Sequence, residues 1–318
     1  MIICSFDLCM KIAYISGVKF GHELLIHILK NGFKIDVLFT YKSSKKKIHS
    51  DYAFFDEISS KYKIKHIKVD NINEKTNVEL LRSINPDIIL VMGWSQLIKT
   101  DILEIPRIGT IGSHPTLLPK YRGRAPIPWS IIKDLKESAL TFFCITKETD
   151  QGDIILQRKF KITINDDASS IYEKVISAGK KMILETLSML EEDKITKIKQ
   201  KQADFIEYWP KRTPKDGKIE WTKSGKEIHT LIRATTHPYP GAYTFFKKSK
   251  LKIWKAKFLD TKTTEPGKII HIGKYGVKIG TGKGTILIQK ASLGNNKEVG
   301  PHKIFSNGDK GYKLGGIR

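Results

Sequence analysis

Short apolar runs alternate with helical segments over the first 94 residues, and this alternation constrains the fold more than any other feature of the chain. The apolar runs have the length and composition of buried strands and comprise residues 11–17, 34–41, 63–69 and 86–94. Between them, segments 20–32 and 74–85 carry apolar residues at helical spacing. Alternating strands and helices favour a parallel sheet with right-handed crossovers. The sequence therefore predicts a doubly wound, mostly parallel α/β sheet.

The last third of the chain has a different pattern. From Tyr208 onward, short strand-like runs are separated by Gly, Pro, Asn and Asp turns, which is typical of a small antiparallel barrel or sandwich. Residues 191–205 just before it are polar and poorly periodic, as in a linker. A chain of 318 residues exceeds the usual size of a single core. We expect a catalytic domain over residues 1–205 and a smaller barrel-like domain over residues 206–318.

The composition excludes several classes of protein. No run reaches the length of about 18 uncharged apolar residues that a membrane span needs, so no membrane insertion is expected. The opening residues carry Asp7 and no basic segment, so we expect no secretory signal, and Met10 is an alternative start. Three cysteines, Cys4, Cys9 and Cys144, match no zinc site or disulfide framework. Free thiols indicate a reducing, cytoplasmic setting.

The net charge of +23 is concentrated in the last third of the chain. Residues 206–318 hold 24 Lys and Arg against 8 Asp and Glu, a net charge of +16. Such a surface attracts phosphates, whether of a nucleic acid or of a nucleotide. Lysines spread evenly through a lysine-rich chain equally predict solvated faces with no ligand, and the composition leaves both interpretations open.

One histidine stands where ligands bind in open α/β sheets. His114 ends the strand-like run "GTIGSH", and Asp150 opens the glycine-containing turn "TDQGD". Ligands bind outside the carboxyl ends of parallel strands, where an imidazole and a carboxylate suit general acid–base catalysis. The loop "LLPKYRGRAPIPW" between them carries two arginines and a lysine, which attract an anion. A histidine and a carboxylate 36 positions apart also occur by chance, and the loop alone is compatible with a solvated surface.

Several motifs together resemble a known family. "SHPTLLPKYRGRAPIPW" resembles the central motif of the formyltransferases that use 10-formyltetrahydrofolate, and "TDQGDII" resembles their Asp-x-Gly-x-Ile motif. "YWPKRTPKDGKIEW" and "IRATTHPYPGAYTFF" are similar to the entry of that family's C-terminal domain. The resemblance covers nearly the whole chain, with the motifs in the family's order.

The resemblance implies roles for individual residues. His114 would be the catalytic base and Asp150 its partner, while a primary amine attacks the formyl carbon of 10-formyltetrahydrofolate through a tetrahedral intermediate. No metal is required. The residues that would contact the folate are Gln96, Leu97 and Ile98, partly through backbone groups, with Arg124, Thr146, Lys147, Glu148 and Thr149.

The chain departs from the family at Gly112. The family has an asparagine two positions before the histidine, and its amide donates to the formyl oxygen as negative charge develops there. A donor of this kind is worth about 3 kcal/mol, or 10² to 10³ in rate. Ser113 points to the opposite face of the strand, since side chains alternate. A backbone N–H or a group of the substrate remains as the donor.

The amine that accepts the formyl group has two candidates. "RGRAPIPW" and "PYPGAY" resemble the sugar N-formyltransferases, which modify nucleotide-linked amino sugars for surface polysaccharides such as lipopolysaccharide. The basic C-terminal part instead fits a methionyl-tRNA formyltransferase. We expect the sugar, with Tyr208, Arg212 and Arg233 near its phosphates, and a homodimer is compatible with the sequence. A degenerate module that binds folate or a nucleotide sugar with little turnover, and a hydrolase that releases formate, are further alternatives.

Overall fold

The computed structural model describes residues 10–47, 50–200, 205–262 and 265–315. In its first part the strands are β1 (Ile12–Ile15), β2 (Val37–Tyr41), β3 (Lys65–Val69), β4 (Ile88–Val91), β5 (Gly109–His114), β6 (Tyr121–Gly123), β7 (Glu137–Cys144) and β8 (Ile154–Lys161). The helices are α1 (Lys19–Lys30), α2 (Asp56–Lys61), α3 (Lys75–Ile84), α4 (Thr100–Leu103), α5 (Pro126–Ile132) and α6 (Ala168–Glu191).

Seven of these strands form one sheet in the order β3-β2-β1-β4-β5-β7-β8. The pairs from β3 through β5 are parallel, as the strand–helix alternation predicts. Every residue of β1 and β4 is buried, because helices cover both faces of such a sheet. Strands β7 and β8 pair antiparallel, since the short connection between them cannot carry the crossover that parallel strands need. The prediction of a mostly parallel α/β sheet is confirmed.

The C-terminal part forms a separate antiparallel sheet. Its elements are β9 (Glu207–Trp209), α7 (Gly225–Thr235), β10 (Ala242–Phe246), β11 (Ser249–Leu259), β12 (Ile269–Gly273), β13 (Gly276–Gly280) and β14 (Thr285–Leu293). Strands β10 to β14 pair in the order β10-β11-β14-β13-β12, whereas β9 pairs with β6 in a sheet of its own. Alternate residues of β10 are buried, and the core includes Ile253, Val277 and Ile288. The prediction of a smaller antiparallel part is confirmed.

The described chain divides into two compact units. The catalytic unit comprises the described residues up to 126 together with 137–161 and 173–209. The C-terminal unit comprises 127–136, 162–172 and the described residues from 210 onward. The domain boundary between residues 205 and 206 stays a prediction.

Three further expectations concern membranes, metals and cysteines. Among the described residues, none of the helices combines the length and the apolar character that a membrane span requires. The same residues contain no group of three or more side chains suited to hold a metal ion. Cys144 is a free, half-buried thiol whose pKa is raised by burial. Cys4 and Cys9 lie outside the described residues.

Candidate active site

The structure brings His114 and Asp150 together at the carboxyl end of the sheet. His114 is the last residue of β5, and Asp150 lies in the turn between β7 and β8. The His114 Nδ1 atom is 3.8 Å from Oδ1 of Asp150, and the two side chains are only 8% and 14% exposed. At that distance the carboxylate faces the imidazole through space, and a small movement would bring the two within hydrogen-bond length.

A tight turn places the carboxylate there. Asp150 adopts a left-handed backbone conformation, with φ of +57°, which few residues other than glycine adopt. Gly152, two residues later, lies so close to the strand that a Cβ atom would stand 1.7 Å from the carbonyl oxygen of Cys144. The sequence "DQGD" therefore closes the turn through a glycine at a point where the two backbones approach closely.

The environment of His114 suits a base. Burial lowers the pKa of its imidazole below the usual value of 6.5, and the charge of Asp150 and the carbonyl of Tyr121 oppose that shift without cancelling it. The imidazole is therefore neutral at neutral pH. Its Nε2 atom is buried and has no hydrogen-bond partner within the described residues. A neutral ring nitrogen in this state is ready to accept a proton from a bound substrate.

The carboxylate of Asp150 is held by groups that sequence analysis missed. The backbone N–H of Gly123 donates to Oδ2 of Asp150 at 2.9 Å. The Gln200 side chain donates to the carbonyl oxygens of Asp150 and Gly152 at 2.9 and 2.7 Å. Arg122 in turn donates to the Gln200 side chain at 2.7 Å. Gln200 lies in the polar stretch interpreted as a linker, and no spacing or composition marks it.

The face of β5 next to His114 is closed at Gly112. A Cβ atom built there would lie 2.7 and 2.8 Å from Cγ1 and Cδ1 of Ile145. Ile145 follows β7 directly, and its backbone N–H donates to the carbonyl of Thr110 at 2.7 Å. Its side chain packs against the apolar core cluster that contains Val91 and Ile98. The space that an asparagine side chain would enter is thus filled by an isoleucine, and position 112 offers no side-chain donor.

The segment after β4 forms the neighbouring edge of the site. Gln96 uses its side chain internally: Oε1 accepts from the N–H of Ile72 at 3.1 Å, and Nε2 donates to the carbonyl of Asp70 at 2.6 Å. The Leu97 side chain is 68% exposed, whereas Ile98 is buried in the core. The Gln96 side chain is therefore occupied, and the Leu97 carbonyl accepts from the Asn73 amide at 2.9 Å. The remaining backbone groups and the Leu97 side chain are what this segment can offer to a ligand.

Two aromatic rings support that segment. Trp94 stacks on Tyr41 with the ring centroids 3.6 Å apart and the planes 8° from parallel. The Tyr41 hydroxyl also hydrogen-bonds with the backbone N–H and the hydroxyl of Ser95, each at 3.0 Å. Tyr41 ends β2, so the stack fixes the end of one parallel strand to the loop after another.

The other residues assigned to the folate lie on exposed loops of the catalytic unit. Thr146, Lys147, Glu148 and Thr149 are all exposed, and the Thr146 hydroxyl donates to the carbonyl of Glu148 at 3.2 Å. Arg124 has an exposed side chain, and its backbone N–H donates to the carbonyl of Trp209 at 2.8 Å. Their contact with a folate stays a prediction.

The three residues assigned to a phosphate have separate surroundings. Tyr208, in the catalytic unit, has a half-exposed ring and a hydroxyl that accepts from Arg122 at 3.0 Å. In the C-terminal unit, Arg212 lies over the ring of Trp129, 5.0 Å from its centroid, and donates to the carbonyl of Asp216. Arg233 is 9% exposed. It donates to the carbonyl of Asp166 at 2.6 Å. Burial favours a structural contribution by Arg233, and its phosphate contact stays a prediction.

Comparison with known proteins identifies the site's relatives. Residues 10–187 match the model of the formyl transferase family, and residues 211–308 match the model of the formyl transferase C-terminal domain.

Two curated relatives and one solved structure illustrate the similarity. A methionyl-tRNA formyltransferase of Clostridioides difficile (strain 630) is 36% identical over 71% of this chain and 73% of its own. The bifunctional polymyxin resistance protein ArnA of Wigglesworthia glossinidia brevipalpis is 35% identical over 82% of this chain, which spans only 40% of that relative. The N-formyltransferase from Helicobacter canadensis, solved with folinic acid and dTDP-3-aminofucose, is 22% identical, covers 88% of this chain and 98% of its own, and has a TM-score of 0.62.

Proposed function

Because this chain belongs to the formyl transferase family, we propose that it transfers a formyl group from 10-formyltetrahydrofolate to the primary amine of a nucleotide-linked amino sugar. The family membership expected from the motifs is confirmed, and the chain is a formyltransferase that uses 10-formyltetrahydrofolate as donor. The sugar acceptor is the proposal.

The observation that carries the chemistry is the buried Nε2 atom of His114 beside Asp150, which has no hydrogen-bond partner in the part of the chain that the structure describes. An amine becomes a better nucleophile as it loses a proton, and a neutral imidazole accepts that proton. The Asp150 carboxylate stabilises the imidazolium that results and orients the ring. The folate, when bound, supplies the formyl carbon, and the His114 imidazolium then returns its proton to the nitrogen that leaves with tetrahydrofolate as its bond to that carbon breaks. An orphaned nitrogen in a closed site fits this role, because a resting partner would have to leave before each proton transfer.

The donor pocket in this proposal follows the loops at the same sheet edge. The backbone of Gln96, Leu97 and Ile98 would hold the pterin, since the Gln96 side chain is already engaged. The exposed residues 146–149 would line it, and the exposed Arg124 would attract the carboxylates of the folate tail.

The acceptor is proposed from two sources of support. The segments "RGRAPIPW" and "PYPGAY" resemble the sugar branch, and the N-formyltransferase from Helicobacter canadensis, which has the same fold, was solved with dTDP-3-aminofucose. In the C-terminal unit, Arg212 offers a guanidinium to the phosphates of a nucleoside diphosphate. In this proposal the product serves surface polysaccharide, such as lipopolysaccharide, and the protein works in the cytoplasm. A homodimer stays a prediction.

Methionyl-tRNA is the second candidate acceptor, and two observations favour it. The Clostridioides difficile relative is a methionyl-tRNA formyltransferase that aligns over 73% of its own length. The net charge of +16 on residues 206–318 also suits the phosphates of a tRNA.

An acceptor assay distinguishes the two candidate acceptors. Purified protein and 10-formyltetrahydrofolate are incubated with nucleotide-linked 3-amino and 4-amino sugars, with methionyl-tRNA, or with buffer alone, and the products are read by mass spectrometry. We expect N-formylated sugar and unmodified methionyl-tRNA. Formyl-methionyl-tRNA alone would overturn the sugar proposal. Formate from the buffer reaction would reveal hydrolysis of the donor instead.

A further inference from the structure

The side chain of Gln200 holds the turn that carries Asp150. The Gln200 amide nitrogen donates to two carbonyls on either side of the turn, those of Asp150 and Gly152. Asp150 holds a left-handed conformation, which is unfavourable for a residue with a Cβ atom and is held here by its surroundings. Gln200 supplies two of the hydrogen bonds that impose it.

Arg122 in turn fixes the orientation of Gln200. Its Nη2 atom donates to Oε1 of Gln200 at 2.7 Å, so the amide oxygen is engaged and the amide nitrogen is directed to the turn. The Nη1 atom of Arg122 donates to the Tyr208 hydroxyl at 3.0 Å, and its guanidinium lies 5.8 Å from the centre of the Tyr208 ring. Only 6% of Arg122 is exposed.

The strand that contains Arg122 holds the carboxylate itself. Gly123 follows Arg122 in β6, and its backbone N–H donates to Oδ2 of Asp150. Strand β9 pairs with β6 so that Tyr208 stands beside Arg122. Strand β6 therefore holds Asp150 in two ways. Gly123 donates directly to the carboxylate, and Arg122 acts through Gln200 on the backbone carbonyl.

The cost of this arrangement favours a role beyond packing. Both side-chain acceptors of Arg122, an amide oxygen and a phenol oxygen, are neutral. Removing a guanidinium from water for neutral acceptors is expensive, and an apolar side chain of similar volume stabilises a protein at least as well. In addition, Gln200 and Tyr208 lie between residues 187 and 211, outside both matched family models.

We propose that Arg122 is a positioning residue, which acts through Gln200 to hold the catalytic Asp150 toward His114, with Tyr208 fixing the far side of its guanidinium. The proposal rests on the proposed function only in taking His114 and Asp150 as the catalytic pair. It makes the polar stretch before the C-terminal unit part of the catalytic apparatus.

The test replaces Gln200 and Arg122, which we call the brace, and leaves the catalytic pair unchanged. Gln200→Leu removes the two hydrogen bonds to the turn and the acceptor for Arg122 and changes no charge, and Arg122→Met removes the guanidinium. Gln200→Glu keeps an acceptor for Arg122 but removes the two donors to the turn. Arg158→Met is the matched control, because Arg158 donates from Nη2 to the Glu185 carboxylate at the same 2.7 Å, at the exposed surface.

The first readout needs no turnover. The His114 ring is titrated by NMR in the substrate-free protein and assigned with His114→Gln. The groups that act on its pKa are burial, which lowers it, and the Asp150 charge and Tyr121 carbonyl, which raise it. Moving the carboxylate away removes a raising influence, so we expect the pKa to fall in Gln200→Leu, which changes no charge, and to stay unchanged in Arg158→Met. Gln200→Glu adds a negative charge and Arg122→Met removes a positive one, and both changes raise an imidazole pKa. These two variants are therefore compared by kcat.

The second readout is kinetic. We expect kcat to fall about 100-fold in the three brace variants, the size typical of a misplacement near 1 Å, with both KM values nearly unchanged. A full kcat in Gln200→Glu would show that Arg122 merely needs a partner. An unaltered His114 titration in folded Gln200→Leu would overturn the proposal. Should the wild-type protein formylate no acceptor, the titration still decides this inference, and the proposed function fails alone.

Discussion

The two sides of His114 differ in how they are built. On one side, Asp150 is held by a backbone N–H, by the Gln200 amide and, behind it, by a buried arginine. On the other, the strand carries Gly112, and the apolar side chain of Ile145 fills the space where a polar group of the family would stand.

The difference shows which groups of the site this protein holds in a fixed position. Groups that orient a base act before and after each proton transfer, so they stay fixed and hydrogen-bonded. A donor to a developing oxyanion has to be aimed at a charge that exists only during the reaction. This chain keeps the first kind of group and omits the second at position 112. In the proposed reaction, the proton transfer therefore depends on the protein, and stabilisation of the oxygen depends on a backbone group or the substrate.

The largest effect is expected from removing the base. His114→Gln keeps the size and polarity of the side chain but cannot accept the amine proton, so we expect kcat to fall about 10³-fold, within the range typical of general bases. Formylated product counted by mass spectrometry in single-turnover mixtures provides the measurement. Activity within tenfold of wild type would show that His114 is not the base, and the comparison between the two sides of the site would then fail.

Neutralising the partner should cost less. Asp150→Asn retains the shape and the acceptor for the Gly123 N–H but loses the charge, and we expect kcat to fall about 10²-fold. The charge raises the pKa of His114, so its loss should move the acid limb of the pH–rate profile to lower pH. A limb that moves to higher pH would mean that another group titrates.

The apolar side is probed by a pair of substitutions. Gly112→Asn alone would force Ile145 to move and should destabilise the protein by about 1 to 3 kcal/mol, as overpacking does. Combined with Ile145→Ala, the same asparagine has room, and we expect kcat to rise about tenfold or more above Ile145→Ala alone, because an amide donor is added. Urea unfolding and kcat are measured for all three variants. A double variant no faster than Ile145→Ala would show that the oxygen already has a sufficient donor.

The smallest effect concerns pH in the wild-type protein. Burial depresses the pKa of His114 below 6.5, and only the neutral ring accepts a proton. Once the titration of the substrate amine is subtracted, the acid limb of the kcat/KM profile should therefore be centred below pH 6.5. A decline centred above pH 7 would contradict a buried neutral imidazole.

The sequence predicted one side of the site far better than the other. Apolar periodicity located the parallel strands because their burial on both faces makes them continuously apolar, as in β1 and β4. It also located His114 at a strand end, since β5 ends at that residue. The motif drew attention to Gly112 as a missing amide.

The bracing groups had no such signal. Gln200 acts through side-chain hydrogen bonds from a polar stretch without periodicity. Tyr208 lies just beyond that stretch, and β6 and β9 are three residues each. Pairing between segments so far apart depends on the three-dimensional path of the chain. Likewise, Ile145 reads as an ordinary apolar residue after a strand, and its contact with position 112 emerges only from the pairing of β5 with β7.

The pairing of β6 with β9 sets an order of events during synthesis. Residue 121 contacts residue 207, so β6 waits for more than 80 residues to leave the ribosome before it has its partner. A nascent chain that has emerged only as far as residue 190 has its histidine and its aspartate but lacks the brace between them. We therefore expect the protein to become catalytically competent late in its synthesis, after the sheet has formed. An incomplete chain would then consume no 10-formyltetrahydrofolate.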